Sequence, residues 1–300
     1  MSQSTAQRHF LISRTDNIGD VVLTLPLAAA LKQELPASKI TLLAKGMLRP
    51  LAAQHPDVDE FLDWTELETL TRPEQLKRLR DLRIDSVLHV FPNPQLAWMA
   101  KQAKIPERIG TSRRWYHWLT CTHRVRFTRA RSNAHEAELN LLFLRPLQPQ
   151  KRDHSREELA RMIQLQAVAE VPVPPVVAEI PWHDGRFNLV LHPFSRGSAR
   201  EWPAERFRKL AQSLINQGFR VLLTGSKEEA PMIQQEIASH CPEALDLSGK
   251  LSFAELVTLI QRVDGLVAAS TGPLHIAAAG GTPTLGLFPA KAGINPQRWG

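Results

Sequence analysis

Cysteine is nearly absent from this chain: Cys121 and Cys241 are the only two in 300 residues. Two cysteines make no disulfide framework, which fits a reducing compartment. Neither they nor the scattered histidines fall at zinc-ligand spacing. Long apolar runs are missing as well. Stretches such as Leu25–Leu31 are far too short to span a bilayer. The polar opening Met1–His9 lacks the apolar core of a secretory signal. Internal repeats and long low-complexity tracts are also lacking. These absences predict a soluble protein of a reducing compartment, or at most one that rests against a membrane.

Acid is absent locally. Between Arg108 and Arg131 lie seven arginines (108, 113, 114, 124, 126, 129 and 131) and no Asp or Glu, with Trp115, Tyr116 and Trp118 among them. Over the whole chain 37 basic side chains face 30 acidic ones, a formal charge of +7 and a pI near 9.7. That balance favours an anionic partner: a nucleotide, a phosphorylated lipid or a nucleic acid. The arginine segment reads either as a solvated basic face or as a landing surface for an anionic glycolipid, with its three aromatic rings at the membrane boundary. Nucleic acid would also want basic and aromatic side chains; no nucleic-acid-binding signature accompanies them.

Three hundred residues at 43% hydrophobic and 22% charged suit two soluble domains with sizeable cores. Short apolar runs alternate with longer amphipathic stretches, the pattern of a parallel sheet flanked by helices. Strands are expected at Phe10–Ser13, Ile40–Ala44, Phe61–Asp63 and Ser86–Val90, and helices at Val21–Leu35, Pro73–Leu82, Ala134–Leu144 and Arg156–Ala169. Four prolines in Val171–Pro181 cannot continue a helix and predict a stiff, extended linker. The expected organisation is an N-terminal domain over 1–170, a linker over 171–185 and a C-terminal domain over 186–300. The alternation then restarts, with strands at Phe187–Leu191, Arg220–Thr224, Gly265–Ala269 and Thr284–Leu287 and helices at Ala204–Gln217, Glu228–His240, Ser252–Arg262 and Leu274–Ala279. Two doubly wound α/β domains are implied. Ligands of such sheets bind beyond the carboxyl ends of the strands, and a cleft between the domains is the default active site.

Three strand-to-helix junctions carry candidate chemistry. The first reads Arg14-Thr15-Asp16-Asn17-Ile18-Gly19-Asp20. Gly19 permits a tight turn, and Asp20 falls in the first turn of the next helix, where the helix dipole favours its charged form. It is either a plain helix-start acid or a general base able to take a proton from an acceptor hydroxyl. The second, His192 to Pro203, offers Ser195, Ser198, Arg200 and backbone amides to a diphosphate, or is an ordinary loop with a surface arginine. The third, Ala269-Ser270-Thr271-Gly272-Pro273-Leu274-His275, places hydroxyls, amides and a histidine at a helix N-terminus suited to phosphates or sugar hydroxyls; a lone histidine there is more often a structural one.

In their order and spacing these stretches resemble the heptosyltransferase family, glycosyltransferase family 9, which transfers ADP-heptose-derived heptose onto lipopolysaccharide. The likeness begins with RTDNIGDVVLTLPLAAALK and runs through HPDVDEFLDW, IPERIG and HEAELNLL. It resumes with HPFSRGSAREWPAERFRKLA, LLTGSKEE, DLSGKLSFAELVTLI and VAASTGPLHIAAAGGTPTLGLF. The resemblance implies the GT-B fold, two Rossmann-like domains facing a central cleft, and inverting transfer with Asp20 as base. It implies that the donor is held by Ser195, Arg200, Glu229 (or Glu228, if the loop shifts by one), Leu251 against the adenine, Ser270, Thr271, Gly272 and His275. Arg14, Asn17, Arg113 and Arg114 are the candidates for the anionic Kdo or heptose acceptor. No metal and no cofactor beyond the donor are expected: Asp57-Val58-Asp59 mimics a metal-binding signature but sits in a helix-to-strand connection, and arginine with helix termini can neutralise a diphosphate.

There are departures. The family's commoner Asp-Thr-Gly is Ser270-Thr271-Gly272 here, and Arg200 stands where a lysine is usual. The chain stops at Trp299-Gly300, where relatives continue through a further helix. The alternatives are therefore a transferase of the same family using another nucleotide sugar, or a non-catalytic homologue that binds one. A sugar-nucleotide epimerase on the same fold is disfavoured by the whole-chain resemblance.

Overall fold

The computed structural model describes residues 7–129, 132, 134–147, 154–166, 174–195, 197, 200–289 and 296–300. Arg131, Ser198 and the start of the expected linker lie outside the described residues. The chain divides into two compact units, residues 1–164 and 165–300.

The first unit is one parallel sheet. Its strands are β1 (His9–Ser13), β2 (Lys39–Ala44), β3 (Glu60–Asp63), β4 (Ser86–His89), β5 (Glu107–Thr111) and β6 (His123–Val125). They lie in the order β3-β2-β1-β4-β5-β6. Phe10 of β1 is in register with Ile40 of β2 and Ser86 of β4. A central parallel strand is covered on both faces, so β1 is buried at all five positions and reads as an almost unbroken apolar run. Leu11, Leu43 and Val87 pack one face against Leu79, Leu96 and Met99 of the flanking helices.

The single helix expected over Val21–Leu35 is two helices, Ile18–Val22 and Pro26–Glu34. Pro26 has no amide hydrogen to continue the first helix, but its fixed φ suits the first turn of the second. Gly19 sits inside the first helix rather than in a turn, and its φ is not in the left-handed region. β5 and β6 were not anticipated: β5 runs into, and β6 lies wholly within, the arginine-rich stretch, whose charge masks the strand pattern. Gly110 of β5 is required by close packing. A Cβ there would lie 2.6 Å from His117 Nδ1 and 2.7 Å from Cys121 Sγ.

The second unit is also one parallel sheet, of β7 (Asn188–His192), β8 (Arg220–Leu223), β9 (Leu245–Asp246), β10 (Gly265–Ala269) and β11 (Thr284–Leu287). Their order is β11-β10-β7-β8-β9. Leu191, Val221, Leu223 and Val267 pack on Phe207, Ala211, Ile233 and Ile237. Helix Phe253–Arg262 starts on a capping box, with Glu255 N donating to Ser252 Oγ at 3.3 Å and Ser252 N to Glu255 at 2.6 Å. Within the stretch read as an extended linker, Pro175–Ala178 forms one helical turn. Proline at its first position loses no hydrogen bond there, which is why the proline count misled.

In each sheet the strand order reverses beside the unit's first strand: between β1 and β4, and between β7 and β10. The loops at the carboxyl ends of those pairs are where such sheets bind ligands. No helix among the described residues is long and apolar enough to cross a membrane.

Candidate active site

The loop leaving β1 carries Arg14 inward. Its side chain is 3% exposed, and it donates from Nε to Asp16 at 2.7 Å and from Nη2 to Asp20. Its Nη1 reaches Glu136 at 3.4 Å and Asn140 at 3.3 Å. Arg129 meets the same pair from the other side, at 2.7 Å from Nε to Glu136 and 2.9 Å from Nη2 to Asn140. Glu136, on helix Glu136–Leu141, is fully buried between the two guanidiniums. Asn140 also donates to Leu23 O at 2.9 Å and Thr24 Oγ1 at 3.2 Å, and Thr24 donates to the Asp20 backbone carbonyl at 2.8 Å. The helix bearing Asp20 is thereby fastened to the helix bearing Glu136.

Asp20 lies in the first turn of Ile18–Val22, mostly buried, with Asn17 Nδ2 donating to Oδ2 at 3.3 Å. Burial raises its pKa above the ordinary carboxylate range. The Arg14 charge opposes that shift, and the negative charges of Asp16 and Glu136 add to it. The helix start was expected to favour the charged form of Asp20; desolvation acts the other way and is the largest influence on it. Three carboxylates share two guanidiniums in this cluster, and the proton affinity of Asp20 rises accordingly. A carboxylate of raised proton affinity that is held in one orientation can serve as a general base.

The sequence-predicted acceptor residues do not gather in one place. Asn17 is exposed beside Asp20. Arg14 is spent on the buried network, so its side chain positions Asp20. Arg113 and Arg114 are exposed beyond β5, two strands from β1. Arg129, Glu136 and Asn140 were not singled out. Glu136 and Asn140 showed only in the His135–Leu142 run of the resemblance and Arg129 only as one of seven arginines, and the approach of Arg14 across more than a hundred residues leaves no local pattern.

In the second unit the predicted donor residues all follow carboxyl ends of strands. Ser195, after β7, is buried and donates from N and Oγ to the Glu201 carboxylate at 2.7 and 2.8 Å. Glu201, unremarked in the sequence, therefore shapes this loop. Arg200 is exposed. Glu229 follows β8, half-buried, and its carboxylate accepts the Ser226 amide at 2.9 Å; Glu228 beside it is exposed. Leu251, half-buried, follows β9. Gly249 in that loop adopts φ +69° and donates to Gly225 O at 3.0 Å, joining the β8 and β9 loops.

After β10, Thr271 caps helix Gly272–Ala279 by backbone alone. Its hydroxyl donates back to Ala269 O at 3.2 Å instead of capping the first-turn amides. Ser270 and Gly272 are half-buried, and His275 is buried in the first turn with its ring 6.3 Å from that of Trp299. A helix start without a side-chain cap, at a strand-order reversal, suits a phosphate.

Asp59 of the Asp57-Val58-Asp59 run accepts the Ile40 amide at 2.6 Å and Lys32 Nζ at 2.9 Å, so it serves the fold. Among the described residues no three His, Cys, Asp or Glu side chains group as a metal set.

Residues 74–300 match the family model described as glycosyltransferase family 9 (heptosyltransferase). The chain is 24% identical over 298 residues to lipopolysaccharide heptosyltransferase 3 of Escherichia coli, covering 94% of this chain and 83% of that one. It is 26% identical over 307 residues to lipooligosaccharide heptosyltransferase 2 of Haemophilus influenzae, covering 90% and 80%. Among solved structures, a family 9 glycosyl transferase from Veillonella parvula superposes with a TM-score of 0.78 at 20% identity, over 98% of this chain and 83% of that one. The ADP-heptose lipopolysaccharide heptosyltransferase II of Escherichia coli superposes at 0.76 with 22% identity, over 98% and 88%. The two superpositions bear on the fold, which is of the GT-B class.

Proposed function

The chain belongs to glycosyltransferase family 9, the heptosyltransferase family, and from that premise we propose that it moves heptose from ADP-heptose onto the anionic inner core of lipopolysaccharide, at a Kdo or heptose acceptor. It does so in the cytoplasm. The observation that carries the reading is Asp20: a caged, mostly buried carboxylate of raised proton affinity at the strand-order reversal of the first unit.

The acceptor hydroxyl gives its proton to Asp20 while its oxygen attacks the anomeric carbon of the donor sugar. The bond from that carbon to the diphosphate oxygen breaks on the opposite face, inverting the centre, and ADP leaves with the electron pair. Arg14 and Asn17 orient the Asp20 carboxylate. Arg200, Ser195 and the first turn of Gly272–Ala279, with Thr271, Gly272 and His275, take the growing charge on the diphosphate. Glu229 holds the ribose and Leu251 packs on the adenine. Ser195 reaches a phosphate only if Glu201 gives way. No step uses a metal or a cofactor beyond the donor.

Asp20→Ala tests this directly. Transfer measured by mass spectrometry of the glycan product should fall about 10²- to 10⁴-fold, while ADP binding by calorimetry changes little. Undiminished turnover would remove Asp20 as the base.

Ser270 favours a second reading, in which the donor is a different nucleotide sugar. A hydroxyl there offers one donor and two lone pairs, where a carboxylate offers a negative charge and about four acceptor sites. Tighter calorimetric binding of a UDP- or GDP-sugar than of ADP-heptose would select that reading.

A further inference from the structure

Nine large apolar side chains are exposed among the described residues, and three of them, Trp115, Trp118 and Leu119, lie within five positions. They are 71%, 60% and 53% exposed. All three sit on helix Trp115–Thr120, which joins β5 to the edge strand β6. Their i, i+3, i+4 spacing puts them on one face, while Tyr116, His117 and Thr120 turn inward and are buried. A surface helix ordinarily turns its polar residues outward. Tyr116 is therefore not at any outer boundary, contrary to the sequence reading; its ring packs edge-on against His117 at 4.7 Å.

The apolar face is held open by specific bonds. Trp118 donates its indole N–H to Ser112 O at 3.1 Å, and the Arg124 guanidinium lies 4.5 Å over its ring. Lys101 Nζ donates to Leu119 O at 2.8 Å. Around it Arg113, Arg114, Arg124 and Arg126 are exposed. Two other arginines of the segment serve the fold: Arg108 bonds to Thr120 O at 2.6 Å, and Arg129 to the Glu136 cage. The basic surface is thus narrower than the sequence implied, and it borders the apolar face.

We infer that helix Trp115–Thr120 and the arginines beside it dock this protein on an anionic phospholipid bilayer, with Trp115, Trp118 and Leu119 entering the headgroup layer. Indole rings, flat and amphipathic, belong at that depth. Arginine stems lie along an apolar surface while their heads reach lipid phosphates. A second copy of the chain is the poorer occupant, since a two-fold contact through this face would set each arginine cluster against its twin. The docking deepens the acceptor reading above, because it brings an enzyme with a lipid-borne substrate to the surface where that substrate lies.

Vesicle flotation without any acceptor sugar tests docking separately from transfer. The protein should bind vesicles of phosphatidylglycerol and phosphatidylethanolamine at least about ten-fold more tightly than phosphatidylcholine vesicles, and the preference should fade at about 0.5 M salt. Trp115→Ser with Trp118→Ser should weaken binding about ten-fold or more, with an unchanged circular dichroism spectrum. If that pair disturbs folding, Leu119→Gln supplies the same comparison with a smaller loss. Arg113→Gln with Arg114→Gln should reduce the salt dependence. Binding to anionic vesicles that is absent, or that the tryptophan and leucine variants leave intact, overturns the inference. So does a dimer, seen by light scattering, that the tryptophan variant dissolves. Vesicle binding that persists in a protein inactive as a heptosyltransferase would uphold docking while the transfer reading fails.

Discussion

The two units share one strand order and differ in what they place where that order reverses. At the end of β1 the first unit buries a charged cluster of Arg14, Asp16, Asp20, Arg129 and Glu136. At the ends of β7 and β10 the second unit sets hydroxyls, a helix start capped by backbone alone, and the exposed Arg200. The fourth strands diverge in the same sense: β4 ends on His89, a buried histidine, where β10 ends on Ala269. Under the proposed function one scaffold would support a proton-handling site and an anion-holding site, and the difference lies in loops and strand ends. Polar groups are cheap to offer an anion at a partly solvated helix start, whereas tuning a base requires burial and compensating charge.

The sharpest break in that contrast is Glu136→Ala. Removing it takes away the buried carboxylate that both guanidiniums contact, and stability should fall by about 3–5 kcal/mol, read by thermal or urea unfolding. A loss under about 1 kcal/mol would mean the cage is no more than a surface pair. Glu136→Gln keeps the shape and removes one of the charges that raise the Asp20 pKa. The acid limb of the pH–rate profile should then move to lower pH, because Asp20 stays ionised further into acid; an unmoved limb would detach Glu136 from the base.

His89 gives the next effect. Both its ring nitrogens are buried without a hydrogen-bond partner among the described residues, and the ring stacks on His117 at 5.7 Å. Burial, with the His117 and Arg108 charges, lowers its pKa to about 3. A depressed pKa gives stability that is whole above the unfolded value near 6.5 and is lost as pH falls toward 3, since only the unfolded chain accepts the proton. Between neutrality and pH 5 this amounts to about 2 kcal/mol. His89→Phe should flatten that part of the stability curve, and an unchanged acid slope would assign it elsewhere.

His275→Ala should have the smallest effect, weakening ADP binding about ten-fold, or about 1.4 kcal/mol, with no shift in the acid limb. If it moved the acid limb as well, the division of labour between the units would fail.

Much of this architecture could be read from apolar runs. β1, β2, β7, β8 and β10 are central or nearly so, and burial on both faces writes a continuous apolar signal into their residues. Asp20, Thr271 and His275 could be placed beyond strand ends because each follows such a strand. β5, β6 and β9 were not. β9 is two residues long, and β6 exposes two of its three. Helix Pro94–Gln102 left a clear mark in Asn93-Pro94, a capping residue followed by a first-turn proline, that went unused. Arg129, Glu136, Asn140 and Glu201 share a different reason. Their contacts are made by loop geometry, some within six to eleven residues and some with Arg14 more than a hundred away, and neither kind leaves an apolar pattern.

Arg14 and Glu136 stand 122 residues apart. On the ribosome β1 is made early and must wait for β4, and Asp20 must wait longer still for the helix that carries Glu136. The sheet can assemble first, but the carboxylate acquires its surroundings only when nearly the whole unit has been translated. Half-made chains consequently carry the proposed base without the charges that raise its proton affinity.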